Sequence, residues 1–465
     1  MDQGFINASE RKRILYSSIF PDYNEKMMKK VALISLGCAK NLVDSEVMLG
    51  LLEEKNYEPV THLTEADIII INTCGFIDPA RRESCYVIRK ALQEKKRNKE
   101  KKIVVSGCYV QRSRTALQES FPDVDVWIGV NDFDKIAHAA EGLPFENSES
   151  CFLYDHSFPR KISTPPAWTY LKISEGCSHK CSFCSIPLIK GPYRSRSIPS
   201  IVREAEELAA SGIKEINLVS QDSTSFGRDQ KMKQGLVYLL RELQEIKNLE
   251  WIRVLYSYPE DVSDSLLEII GEDKICPYLD IPFQHSHPSI VKRMKRGLDG
   301  KESLKLLEKI RKKVPNIAVR TSIVVGFPGE GKKEFDDLKA FVKAACFDHL
   351  GVFTYSLEEG TECYGLGDPV RESVKRRRRE KIMEHQAEIS FKNNMKYVNQ
   401  KIDVLIEGTL KQSPQVMVGR GKFQAPEVDG VVLLNSDKIK PEVLSSIQKV
   451  EIIDADVYDL HGDLI

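Results

Sequence analysis

From Val31 onward, short runs of β-branched and aliphatic residues alternate with amphipathic segments, the pattern of strand–helix units wound around a parallel sheet. Three of these apolar runs end alike. Val31–Gly37 leads into Cys38, Ile68–Thr73 into Cys74 and Ile103–Gly107 into Cys108, with successive cysteines 36 and 34 residues apart. Each interval is about one strand–helix–strand unit, so the spacing predicts that all three thiols emerge at the carboxyl edge of one sheet, where open α/β folds bind ligands. Free cysteine is often simply buried, and packing alone would account for one of them. Three in register point to a cluster-binding site. The flanking Gly37, Gly75 and Gly107 predict that the backbone comes close to a bulky inorganic guest.

Residues 146–166 carry Asn147, Ser148, Ser150, Pro159, Ser163, Pro165 and Pro166 without periodicity and read as a linker. A second α/β domain follows, with strands expected over Tyr170–Ser174, Glu215–Ser220, Trp251–Ser257, Tyr278–Phe283, Ile317–Gly326 and Gly351–Ser356. Six such repeats fit a barrel of TIM type left partly open. Beyond Tyr397 the period shortens to the alternating runs Ile402–Ile406, Val416–Val418, Val431–Leu434 and Val450–Ile453, which predict a small antiparallel β-barrel. The chain is therefore α/β, divided at 30–146, 163–395 and 396–465. Residues 1–29 read as an extension, in which Met27 or Met28 could be the start. Its apolar run Ile14–Phe20 has neither the layout of a signal peptide nor the length to span a bilayer.

The first strand of the middle domain runs through the turn Glu175-Gly176 into Cys177-Ser178-His179-Lys180-Cys181-Ser182-Phe183-Cys184. Thiolates this close together select zinc or an iron–sulfur cluster, and a cube held by three cysteines leaves one iron open to an outside ligand. The alternative is a structural Cys3His zinc site with His179 or a distant histidine as fourth ligand, although zinc sites more often pair C-x2-C with a second distant pair. Polar residues at the other strand ends are further candidates: Gln221, Asp222, Gln284, His285, Arg320, Gly326 through Glu330, and Tyr355. Such positions also cap helices or fill a barrel mouth.

Composition narrows the picture. Lys plus Arg and Asp plus Glu both total 68, so no global charge announces nucleic acid or membrane. Eleven cysteines, an odd number in a long chain, do not make a disulfide framework and suit a reducing cytoplasm. The basic run Lys375–Arg379 opens a predicted helix ending near Asn394, a solvated face or a contact with acidic groups of the same protein. Residues 397–465 hold eleven acidic against seven basic side chains, a surface that repels polyphosphate and suits a basic protein.

The trio Cys38/Cys74/Cys108, the Cys177/Cys181/Cys184 motif and a terminal β-barrel together resemble the radical S-adenosylmethionine (SAM) methylthiotransferases over residues 30–465. The stretches Gly37–Glu46, Tyr278–His285, Val291–Gly297 and Ala425–Gly430 resemble the branch that modifies an aspartate of the twelfth small-subunit ribosomal protein. The alternative is the branch that modifies a tRNA adenosine. Lys40 stands where the protein-modifying branch typically has lysine, whereas Gly421-Lys422 after Arg420 and the amino-terminal extension depart from the pattern. The resemblance implies two [4Fe-4S] clusters, one on each cysteine trio, SAM as cofactor, and a TRAM domain at the end that recruits substrate. An aspartate β-carbon is unactivated, so its hydrogen must be removed by a radical that a cofactor supplies. By the same resemblance Phe183 packs near the adenine of SAM, while Gln221, Asp222, Gly326 and Glu330 are further SAM contacts. An electron donor such as flavodoxin or ferredoxin is implied, with no membrane and no stable RNA complex. Cys85, Cys151, Cys276, Cys346 and Cys363 read as ordinary thiols.

Overall fold

The computed structural model describes residues 28–149, 152–410, 413–435 and 443–465. The amino-terminal extension up to residue 27 and Cys151 lie outside them. Five strands, β1 (Lys30–Ser35), β2 (Glu58–Pro59), β3 (Ile68–Thr73), β4 (Lys102–Gly107) and β5 (Val126–Ile128), form a sheet in the order β2-β1-β3-β4-β5. Every pair is parallel. The run of isoleucines in β3 is buried throughout because both faces of the sheet are covered. Ile68, Ile70 and Val104 pack to one side, Ile69, Ile71, Ile103 and Val105 to the other, as a two-residue period requires. Helices α1 (Ala39–Glu54), α2 (Asp78–Arg97) and α3 (Cys108–Ser120) follow β1, β3 and β4 with hardly any loop. The predicted strand-to-cysteine exits are therefore real: Cys38 is the residue capping α1, and Cys108 is the first residue of α3.

The segment expected to be a linker is irregular but packed, which corrects its reading as a plain spacer. Tyr154 is buried, and the Arg160 guanidinium donates to Glu46 at 2.7 Å and to Glu204 at 2.8 Å, stitching α1 to the middle domain.

There β6 (Trp168–Lys172) leads into β7 (Ser174–Glu175), which pairs antiparallel with β8 (Arg194–Ser195) and closes the base of the Cys177–Cys184 loop. With β9 (Glu215–Val219), β10 (Trp251–Val254), β11 (Tyr278–Asp280), β12 (Ala318–Val325) and β13 (His349–Thr354), β6 builds two parallel sheets, β10-β9-β6 and β11-β12-β13. A bridge from Ile252 to Ile275, just ahead of β11, joins them into an open arc. Helices α4 (Ile198–Ala210), α5 (Gly235–Gln244), α6 (Gly300–Lys313) and α7 (Lys332–Ala345) cover its outside and bury one continuous apolar core. The basic run opens α8 (Glu372–Asn394) and serves the protein itself. Lys375 reaches Asp368 at 2.5 Å and the Tyr355 carbonyl at 2.9 Å, and Arg378 reaches Glu330 at 2.6 Å.

The C-terminal barrel is closed by β14 (Lys401–Leu410), β15 (Ser413–Arg420), β16 (Val432–Asn435), β17 (Ile447–Ala455) and β18 (Leu460–Leu464) in the order β14-β15-β16-β18-β17. It is not antiparallel throughout: β18, a strand the alternating runs did not reveal, pairs parallel with β16. The barrel docks on the middle domain through Arg420 with Glu215 (2.5 Å), Tyr278 with Asp429 (2.7 Å) and Tyr170 with Glu427 (2.7 Å). At the unusual Gly421-Lys422, the Lys422 ammonium reaches the Asp273 carbonyl at 2.5 Å. No helix among the described residues is long and apolar enough to cross a membrane.

Candidate active site

A single cavity of about 470 Å³ between the first two domains is lined by all six cysteines that the sequence singled out. The first trio is held by glycines in an unexpected way. At Gly37, whose φ is +97°, a Cβ would stand 2.7 Å from the Cys74 Cβ and 3.0 Å from its sulfur. At Gly75 a Cβ would lie 2.6 Å from the Tyr109 backbone, and at Gly107 it would meet Asn72 and Thr73. These glycines let the three strand ends approach one another, which gathers the thiols. Asn41 locks the same corner. Its amide donates to the carbonyls of Leu36 (3.0 Å) and Thr73 (3.2 Å), and its Oδ1 lies 3.6 Å from the Cys108 sulfur.

The second trio sits on the short loop above β7 and β8. The Cys177 amide donates to the Gly191 carbonyl at 3.1 Å and the Cys184 amide to the Cys181 carbonyl at 3.2 Å. The Arg296 guanidinium stacks over Tyr258 at 4.1 Å, with one nitrogen 3.6 Å from the Cys181 sulfur and another donating to the Pro282 carbonyl at 2.6 Å. His179 turns its Nε2 to Asp222 at 2.6 Å and lies flat on Tyr258 at 3.7 Å. It is therefore occupied elsewhere than as a fourth ligand. Burial opposes the charge of Asp222, yet hydrogen bonds from His179, Ser225 and Thr224 hold its carboxyl below the ordinary value.

Burial pushes the thiols of Cys74 and Cys177 up to about 11, that of Cys184 up to about 12, and that of Cys108 higher still. A metal must displace these protons, so loading is tied to proton release. Three soft donors at each site fit an iron–sulfur cube with one open iron. A closed four-coordinate zinc site fits less well, since His179 is engaged by Asp222.

A buried quartet of charges joins the two loops. Lys172 contacts both Asp44 and Glu175, and Lys190 lies 3.3 Å from Asp44 and 3.1 Å from Glu175. Asp44 stands on α1 shortly after Cys38, and Glu175 and Lys190 flank the Cys177–Cys184 loop. Burial penalises the Glu175 carboxylate, but the two ammonium groups overcome that and hold its pKa at about 2. On another seam Glu358 accepts from Arg81 and, at 2.5 Å, from Arg112, tying α2 and α3 to the end of β13.

Of the lip residues, Phe183, Gln221, Asp222, Gln284 and Tyr355 line the cavity, while His285, Arg320, Gly326 and Glu330 do not. Glu330 is engaged by the Gly326 amide (3.0 Å), His285 (3.1 Å) and Arg378 (2.6 Å), and closes the turn beneath. Arg320 pairs with Asp280 at 3.3 Å and Asp429 at 3.4 Å near the barrel. Lining residues that the strand-end rule missed include Lys190, Tyr256, Tyr258, Arg296 and Glu358. Arg296 lies in the stretch Val291–Gly297, so that motif was its signal. Lys40, also on the wall, donates to the Ser220 carbonyl at 3.2 Å and lies 3.7 Å above the Tyr256 ring. Both Tyr256 (φ +60°) and Gln284 (φ +70°) adopt left-handed backbone at this wall, a strained geometry that clusters at working sites.

Comparison with known proteins adds three findings. Residues 30–129 match the uncharacterized protein family UPF0004, residues 171–342 the radical SAM superfamily and residues 398–465 the TRAM domain. The chain is 42% identical to the ribosomal protein uS12 methylthiotransferase RimO of Citrifermentans bemidjiense over 95% of its own length and 100% of the relative's. It is 44% identical to the RimO of Geotalea uraniireducens over 94% and 98%. Among solved structures, the radical SAM methyltransferase TsrM of Kitasatospora setae, with cobalamin and a [4Fe-4S] cluster bound, matches with a TM-score of 0.52. That match covers 70% of this chain and 75% of the other at 16% identity, a likeness of fold.

Proposed function

This chain belongs to the RimO family of ribosomal protein uS12 methylthiotransferases, and on that premise we propose how its residues divide the work. It is a radical SAM methylthiotransferase acting on uS12, with two [4Fe-4S] clusters and SAM as cofactors. We assign one cluster to Cys38, Cys74 and Cys108 and the other to Cys177, Cys181 and Cys184. The observation that carries the assignment is that all six thiols line one cavity, so that groups held by both trios meet there. When bound, SAM and the cluster on the second trio supply the radical that an unactivated aspartate β-carbon demands, and the cluster on the first trio supplies sulfur.

The protein's own part is binding, spacing and exclusion of water. Phe183, Gln221 and Asp222 form the SAM side of the wall. Gly326 and Glu330 act through the turn that Glu330 closes. The Lys172–Asp44–Glu175–Lys190 quartet fixes the distance between the two loops, and Arg296 holds positive charge against Cys181. Residues 30–146, 163–395 and 396–465 form the methylthiotransferase, radical SAM and TRAM domains. The acidic surplus of the last suits recruitment of a basic polypeptide rather than RNA. A cytoplasmic setting and a flavodoxin or ferredoxin as electron donor complete the reading.

The test is the intact mass of uS12 from cells with and without this gene. A gain of one methylthio group on the aspartate only when the gene is present is expected. An unmodified uS12 together with loss of a methylthio nucleoside from tRNA on gene removal would overturn it.

A further inference from the structure

Three side chains put permanent or near-permanent positive charge on the cavity wall: Lys40, Lys190 and Arg296. Lys190 faces Asp44 and Glu175, and Arg296 faces the Cys181 sulfur and the Pro282 carbonyl. Lys40 differs. It is 6% exposed, and among the described residues its ammonium forms no ion pair with a carboxylate; it has the Ser220 carbonyl and the face of Tyr256. An ammonium carries three donors and the Ser220 carbonyl takes one, so the position has donors left for a ligand that accepts.

Two further groups say what kind. Ser257 and Tyr355 line the same cavity, are 1% and 4% exposed, and have hydroxyls with no hydrogen-bond partner among the described residues. Unsatisfied buried hydroxyls in the cavity that also holds an ammonium with donors to spare fit a ligand that only accepts, which a carboxylate does. The left-handed backbone of Tyr256 puts strain into the residue that carries its ring beneath Lys40. Both SAM and the substrate aspartate carry a carboxylate. Lys40 stands two residues from Cys38, with the trio that presents sulfur rather than the trio that takes SAM.

We propose that Lys40, seated on Tyr256, receives the carboxylate of the aspartate being modified and so selects aspartate over its uncharged isosteres. The proposal deepens the family-based reading and rests on it. Losing one partner of a desolvated charge pair costs about tenfold in affinity or more, so a substrate carrying asparagine is penalised by at least that factor.

The experiment uses full-length enzyme reconstituted anaerobically and two uS12 loop peptides, one with the target aspartate and one with asparagine. Binding without SAM and kcat/KM for SAM-dependent modification are both measured. The wild-type enzyme is expected to prefer the aspartate peptide by about tenfold or more in both readouts. Lys40→Met is expected to bring that ratio close to one at full iron content, and Lys40→Arg to keep most of it. A preference that survives in Lys40→Met overturns the proposal alone. Loss of peptide-free SAM cleavage in step with methylthiolation also overturns it, by assigning Lys40 to SAM. Where Lys40→Met does not fold, equal use of the two peptides by the wild type is the overturning result. Failure of the wild type to modify either peptide sinks the family-based reading, and this proposal with it.

Discussion

Lys172 on β6 contacts the carboxylate of Asp44 on α1, 128 residues earlier in the chain, with both side chains removed from solvent. This pair and its companions Glu175 and Lys190 are what hold the two cysteine loops at a fixed separation. Replacing Lys172 by Met strands two buried carboxylates against a single ammonium and is expected to destabilise the protein by about 3–5 kcal/mol. The shift of the denaturant midpoint measures it. Lys172→Met with Asp44→Asn, which removes one charge of each sign, is expected to recover most of the loss. Equal loss in the single and double variants would show that the pair does not couple the domains.

Gly37→Ala tests how the first trio is gathered. The added methyl would collide with the Cys74 side chain on a backbone that L residues rarely adopt, so Cys74 must move. Iron content is expected to fall by about half. Methylthiolation of uS12 should be lost while SAM cleavage with a chemical reductant persists, because the Cys177 loop is untouched. Full iron content with full methylthiolation would contradict this account of the corner.

Docking of the barrel depends on Glu215, which lies between Arg420 and Arg253. Burial pushes its carboxyl up, but the two guanidinium groups prevail and hold it below the ordinary 4.5. Its contribution is therefore fully present above pH 4.5 and is lost as the pH falls through the lower folded value. Hydrogen exchange in β14 and β15 is expected to speed up over that acid range and not between pH 6 and 8. Arg420→Met is expected to produce the same loosening at neutral pH, at a cost of about 3–5 kcal/mol. Unchanged protection in Arg420→Met would remove this contact from the docking account.

What was legible in the sequence is what local pattern encodes. The strands ending at Cys38, Cys74 and Cys108 could be read because a buried parallel strand is a short apolar run and its exit is the next residue. The six strands of the middle domain were read for the same reason, with ends shifted by a few residues. Strand β18 was missed because Leu-His-Gly-Asp-Leu is short and half polar, and its parallel partner β16 lies a loop and a strand away. The packing of the supposed linker was invisible because the partners of Arg160, Glu46 and Glu204, stand 114 and 44 residues away. Lys190 and Glu358 were missed likewise: Lys190 reaches Asp44, and Glu358 reaches Arg81 and Arg112, all on the first domain, and no periodicity records such a pairing. Gly326 and Glu330 sit at a strand end, as read, but the end of β12 turns into a loop that Arg378 and His285 cover.

The most direct measurement replaces Cys38, Cys74 and Cys108 together by Ala in anaerobically reconstituted enzyme and follows iron, sulfide and uS12 mass side by side. Iron and sulfide falling to about half, with SAM still cleaved and no methylthio group appearing on uS12, is the predicted result. Methylthiolation at the wild-type rate by that variant would contradict the claim that two thiolate trios share one cavity to do this chemistry.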